Sequence, residues 1–292
     1  MTGVGRVPRI ASTEAAGDMV VLPDRGRVTP VAIDADVLAN TAIGDRYWRL
    51  DLDAPSIAAR VAPGQFVMLT VTDGTDRGPV LPRPMAVYDV DAREGTVAIV
   101  YSVAGAGTRA LTRYGRGTSI TTVGPVGRQF DLPASGGVLL LGRGIGTCSL
   151  TLLARAAAVA GRPLTAVASG RHPSALIGAD VYGSTHARYL PVLDSGGTSA
   201  PERLETRLHS LLDQAPPALV AACGSARLES LALRLADAWH ADCQVAVEAH
   251  MACGLGYCHG CSTGARSASS EAPLVCRDGP VFRLRRSVRQ VA

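Results

Sequence analysis

The sequence predicts an antiparallel β-barrel, then an α/β unit built on a parallel sheet, then a C-terminal loop segment. Three observations carry this reading. From 28 to 134, short β-branched runs recur between turns rich in glycine and proline. From 135 to 248, apolar strand-like runs alternate with helical periodicity. Beyond 248 both rhythms stop: 250–266 holds three cysteines and four glycines, too irregular for either helix or sheet. Residues 1–27 read as an N-terminal extension, and 249–292 as the loop segment with a basic tail.

In the first unit, strands are expected over 28–37, 46–52, 65–71, 85–90, 96–102 and 118–123. Turn signals such as Pro63 with Gly64, Asp73 with Gly74, and Gly105 with Gly107 separate them. Short strands at this spacing suit a small barrel. In the second unit, 137–141 is a fully apolar strand, followed by a glycine loop and a helix over 149–160 that Gly161 and Pro163 terminate. Strands follow at 164–169, 188–193, 218–222 and 243–248, with helices at 201–212 and 227–240. This alternation predicts a parallel sheet covered on both faces.

Composition narrows the function. The 292 residues leave room for two domains, and 47% hydrophobic against 18% charged residues excludes wholesale disorder. All 29 basic residues are arginine, which removes Schiff-base chemistry and any phosphate loop built on lysine. Aromatics at 4% argue against a stacking platform for single-stranded nucleic acid. No run approaches the roughly 20 apolar residues of a membrane helix. Residues 1–27 carry Arg6, Arg9, Glu14 and Asp18 without an apolar core, unlike a secretory signal. The expectation is a soluble, cytoplasmic protein with neither nucleic acid nor membrane as partner.

The cysteines are the sharpest feature. Cys253, Cys258, Cys261 and Cys276 follow C-x4-C-x2-C with fourteen residues before the fourth, the spacing of plant-type [2Fe–2S] ligands. Gly254, Gly256 and Gly260 stand between them, where side chains would crowd a cluster. Ser262 after Cys261 excludes a c-type haem site, and disulfides do not suit an unsignalled chain. A zinc site with four thiolate ligands stays open as the alternative.

The segment Glu248-Ala-His-Met-Ala-Cys253 through Cys258-His-Gly-Cys261, with Cys276-Arg-Asp-Gly-Pro-Val-Phe282, resembles the electron-transfer subunit of NAD-linked dihydroorotate dehydrogenases, within the ferredoxin reductase superfamily. The resemblance covers about 28–282 and implies an FAD-binding barrel, a nicotinamide-nucleotide domain and a C-terminal [2Fe–2S] loop, in that order. It assigns Arg83, Pro84, Met85 and Ala86 to the first flavin motif, with Ala86 where the family has a hydroxyl. Val100, Tyr101 and Ser102 fall on the second flavin segment, and Gly107 and Thr108 on a phosphate contact. Gly142, Gly144 and Gly146 match the nucleotide loop, although Arg143 and Cys148-Ser149 replace the family's glycine and Ala-Pro. Cys223 and Glu248 fall where the family keeps a cysteine near the nicotinamide and an acid near the flavin.

The resemblance thus implies an oxidoreductase component that passes electrons between NAD(P)H, FAD and a [2Fe–2S] cluster. A catalytic flavoprotein subunit, dihydroorotate dehydrogenase-like, would complete a hetero-oligomer. Two alternatives stand beside it: a reductase serving a different oxidoreductase, and a zinc-stabilised module without redox function.

Overall fold

The structure, a computed structural model, describes residues 18–23, 28–44, 46–72, 74–75, 81–264 and 271–286. Most of the 1–27 extension and the basic tail from 287 onward lie outside the described residues.

The chain enters with β1 (Asp18–Val21) and then builds a seven-stranded antiparallel half-barrel. Its strands are β2 (Val31–Ala42), β3 (Tyr47–Asp53), β4 (Phe66–Thr70), β5 (Arg83–Ala86), β6 (Asp89–Asp91), β7 (Thr96–Ser102) and β8 (Ser119–Val126). Their order is β5-β4-β8-β2-β3-β7-β6. Strand alternation sorts the side chains. Leu50, Leu52, Val67, Leu69, Val97, Ile99 and Tyr101 fill the half-barrel, whereas Ala98 and Val100 face the second unit. The run expected as one strand over 85–90 divides in two. Val87 and Tyr88, both buried, carry the chain from β5 at one end of the sheet to β6 at the other. Short helices α1 (Pro55–Ala58) and α2 (Ala106–Leu111) cover turns that sequence periodicity is too brief to reveal.

The second sheet is parallel through β9 (Gly137–Arg143), β10 (Leu164–Gly170), β11 (Arg188–Leu193), β12 (Pro217–Cys223) and β13 (Asp242–Ala246). Helices α3 (Thr151–Val159), α4 (Ala179–Ser184), α5 (Pro201–Leu212) and α6 (Ala226–Trp239) accompany it. Two differences from expectation arise at the ends. β14 (Val281–Arg285), inside the segment read as loop and tail, pairs antiparallel with β13, and β1 pairs antiparallel with β14. Val281, Phe282 and Leu284 are buried, so these strands cover an edge that would otherwise expose the sheet. The third difference is the glycine loop. Gly144–Leu150 is a 3-10 turn, and α-helix begins only at Thr151.

The sheet order β1-β14-β13-β12-β9-β10-β11 makes β9 the switch point. Ligands of open α/β sheets sit outside the carboxyl ends of the strands at such a point. The half-barrel is clasped beside it: Thr151 Oγ1 donates to the Tyr88 carbonyl (2.5 Å), and Arg155 donates twice to the Asp89 carboxylate (2.5 and 2.6 Å).

Candidate functional site: a two-walled cavity beside a thiol loop

A cavity of about 500 Å³ opens between the two units. The half-barrel wall is Pro84, Met85 and Ala86 from β5, Val100, Tyr101 and Ser102 from β7, and Thr108 from α2. The opposite wall is Ile145, Cys148 and Ser149 from the 3-10 turn, Gly224 to Ala226, Glu229 of α6, and 246–251. Seven of the expected flavin residues therefore share one concave surface.

The remaining expected residues divide. Arg83 and Gly107 do not line the cavity but meet each other at its Thr108 end. A Cβ built on Gly107 would stand 2.2 Å from Arg83 Nε, so the guanidinium lies directly against this glycine and any larger residue would move it. Arg83 Nη1 donates to the Leu81 carbonyl (2.8 Å). Thr108 Oγ1 accepts from the Ala104 and Gly105 amides (2.9 and 3.1 Å), so its hydroxyl caps α2. Tyr101 turns its ring into the half-barrel, where its hydroxyl donates to Asn40 Oδ1 (3.0 Å).

Gly142, Gly144 and Gly146 do not line it either. A Cβ on Gly142 would lie 2.6 Å from Thr147 Oγ1, and one on Gly146 would lie 2.5 Å from the Gly224 Cα. These two glycines serve close backbone packing. Cys223 is fully buried beneath the wall, and burial pushes its thiol well up although the Ser149 hydroxyl donates to it. The Glu248 carboxyl is reached by solvent through the cavity but walled by protein, and this desolvation raises it above the usual carboxylate range. Glu229 faces the same space. Burial raises it too, and the charge on Glu248 adds to the effect. Sequence reasoning missed Glu229; the signal was its place one helical turn after Ser225, on the helix that follows the Cys223-Gly224 strand end.

Residues 247–251 continue from the cavity wall into the cysteine loop. Gly254 and Gly256 take positive φ (70° and 87°), and a Cβ on Gly254 would strike Met68 Cγ of β4 at 2.5 Å. The four thiols form two pairs. The sulfurs of Cys261 and Cys276 lie 3.2 Å apart and are buried in the core that also holds Phe66, Met68 and Met251. Cys258 donates to Cys253 nearer the surface, and Cys258 is exposed. Backbone amides point at sulfur: Leu255 and Cys258 at Cys253 (3.4 and 3.5 Å), Cys276 at Cys261 (3.4 Å). Burial opposes the Cys253 thiolate, but amide donation outweighs it and lowers the thiol to about 7. The hydrogen bond with Cys276 lowers Cys261 to about 6 and raises Cys276 in turn. Among the described residues no three His, Cys, Asp or Glu side chains converge as the ligands of one metal ion. Two thiol pairs with amide donors match the donor set of a [2Fe–2S] cluster. Cys148, Cys223 and Cys243 lie outside this loop, buried, with burial raising each thiol.

Comparison with known proteins agrees with this arrangement. Residues 248–286 match the family described as the iron–sulfur cluster binding domain of dihydroorotate dehydrogenase B. The electron transfer subunit of dihydroorotate dehydrogenase B (NAD(+)) from Desulforamulus reducens is 27% identical over 252 residues, covering 85% of this chain and 95% of that one. Its counterpart from Geobacillus thermodenitrificans is 29% identical over 253 residues, with the same coverage. Among solved structures, an NADH-dependent reduced ferredoxin–NADP oxidoreductase superposes with a TM-score of 0.71 at 24% identity, over 89% of this chain and 90% of that one. Phthalate dioxygenase reductase superposes at 0.55 and 18% identity, over 71% of this chain and 65% of that one. These two show the fold. Among the described residues no helix is long and apolar enough to cross a membrane. The chain is thus built like a ferredoxin reductase and resembles, over most of its length, the electron transfer subunits of dihydroorotate dehydrogenase B.

Proposed function

We propose that this chain is the electron-transfer component of a two-subunit oxidoreductase, relaying electrons between a nicotinamide nucleotide and a catalytic flavoprotein, with a dihydroorotate dehydrogenase-type subunit the first candidate. The observation that carries the reading is continuity: the wall of the cavity runs through Met251 directly into the cysteine loop, two residues before Cys253. When bound, FAD supplies two-electron exchange with the nucleotide, and a [2Fe–2S] cluster supplies one-electron transfer outward.

The residues present fit both groups. Pro84 to Ala86 and Val100 to Ser102 would hold the flavin, with Arg83 beside Gly107 to clamp a pyrophosphate. Cys253, Cys258, Cys261 and Cys276 would hold the cluster. The nicotinamide would enter from the switch-point side, past Gly224 and Ser225, toward Glu248. The apolar core around Met68 and Met251 keeps water from the inner thiol pair. Free thiols as ligands suit the reducing cytoplasm, where we place the protein.

Anaerobic purification with any associated protein tests the reading. Flavin and iron–sulfur absorbance, iron and sulfide in equal amounts, and a co-purifying flavoprotein are expected. A colourless protein that contains zinc and no iron overturns it.

A further inference from the structure

Gly142-Arg143 ends β9 at the switch point and Gly144 opens the turn after it, and of the three only Arg143 carries a side chain. The Arg143 guanidinium reaches sideways across the carboxyl ends of the next two strands. One nitrogen donates to Ser169 Oγ on β10 (2.8 Å) and to Asp194 Oδ1 (3.1 Å); the other donates to Asp194 Oδ2 (2.7 Å), just past β11. With neighbouring strands about 4.8 Å apart, the arginine and the carboxylate together bridge roughly 10 Å of the sheet edge. Ser199 also donates to Asp194, and the charge of Arg227, in the first turn of α6, bears on the same carboxylate. A single negative group therefore sits in a socket of one guanidinium fork and a hydroxyl, with a second positive charge acting from farther off.

Three features make this socket more than a structural ion pair. It is open to solvent on the carboxylate side: Asp194 is 37% exposed against 19% for Arg143, so an incoming anion can reach the guanidinium fork by displacing the carboxylate. It lies on the strand ends where an open α/β sheet receives a dinucleotide. The glycine turn itself offers little cradle, because Gly146 is packed against the Gly224 backbone. In a chain without lysine, phosphate recognition on this edge falls to arginine, whose fork fits two phosphate oxygens as well as two carboxylate oxygens.

We propose that the socket is the anion site of the nucleotide crevice, in which a nucleotide phosphate displaces Asp194 and takes the bidentate face of Arg143. Asp194 is then an internal competitor that limits how tightly nucleotides bind. The inference rests on reading this crevice as a nicotinamide-nucleotide site, and the test separates the two.

Calorimetric titration of the oxidised FAD- and iron-loaded protein with ADP and with NAD+, which cannot reduce the flavin, at low and high salt, distinguishes the roles. Arg143→Ala should weaken both ligands about tenfold or more, and Arg143→Lys, which keeps the charge but loses the fork, should fall between. Asp194→Asn should act in the opposite direction and tighten both several-fold, with the gain shrinking at high salt. Opposite signs from the two halves of one ion pair are the signature. Weaker binding in both variants would make the pair structural, or make Asp194 a direct ligand of the ribose, and would overturn the proposal. So would unchanged affinity in both, or no ADP binding by parent and Asp194→Asn alike. ADP binding that depends on Arg143, without NAD+ binding, would keep the anion site and remove the nicotinamide reading.

Discussion

Arg83 and Gly107 illustrate how single residues divide the labour of the cavity. The glycine surrenders its side chain so that the guanidinium can lie at the Thr108 end, ready for a phosphate pair. Charge-assisted contacts of this kind contribute about 1.5–3 kcal/mol each. Arg83→Ala should therefore weaken FAD at least tenfold in a fluorescence titration while iron content stays intact; unchanged affinity removes Arg83 from the site. For the thiols, alanine at Cys253, Cys258, Cys261 or Cys276 should abolish the EPR signal of dithionite-reduced protein, whereas alanine at Cys148, Cys223 or Cys243 should retain it. A signal lost with Cys243→Ala, or kept in full with Cys276→Ala, refutes the ligand assignment. Glu229 carries a pH consequence. Burial raises its carboxyl in the folded protein, so on raising the pH the unfolded chain gives up this proton first. The folded state then binds more protons, and stability falls as pH climbs from about 4.3 through the raised value. Glu229→Gln removes that penalty. Its melting temperature in FAD-free protein should gain on the parent more at about pH 8 than at about pH 5, and an equal difference at both would contradict the buried-carboxyl account.

At the scale of elements, the contact between β4 and the cysteine loop decides whether the loop can close. Gly254 needs positive φ and lies against Met68. Gly254→Ala should cost about 1–2 kcal/mol in backbone strain alone, with the clash added. Iron occupancy should drop, and Met68→Ala in the same chain should restore part of it; full occupancy in the single variant would show that the loop adapts. This contact also shows where sequence reading stops. The spacing of the four cysteines and the apolar strands 137–141 and 164–169 were legible, because period and spacing are local properties. The helix at 201–212 was legible to the residue, with Pro201 at its start. The division of 85–90 was not, since only the far ends of the half-barrel determine where Val87 and Tyr88 leave the ladder. Nor was the 3-10 turn at Gly144–Leu150, which forms because Gly146 must pack on Gly224, a neighbour distant in sequence. The pairing of Arg143 with Asp194 is equally non-local.

The whole molecule has a direction. The half-barrel and the parallel sheet are clasped through Tyr88 and Asp89 on one side and Thr151 and Arg155 on the other, which holds the cavity walls in register. The cavity lies inside this clasp, and the cysteine loop lies at its rim. Within that loop the Cys261 and Cys276 pair faces the core, whereas Cys258 is exposed. With these four thiols as the cluster ligands proposed above, a one-electron partner would approach from the Cys258 side. Tyr257, 84% exposed, and Leu255, 42% exposed, stand on that approach. A large aromatic left in water beside the cysteine loop has no packing role among the described residues, and such anchors supply much of the energy of a protein interface. Tyr257→Asp should leave flavin and iron content unchanged, because the side chain supports neither site. Co-purification of the proposed catalytic subunit should fall sharply, and electron delivery to it should slow while reduction of the bound flavin by nucleotide proceeds at the parent rate. If the variant instead retains its partner at full stoichiometry, the docking face lies elsewhere, and the outward orientation of Cys258 does not mark the exit for electrons.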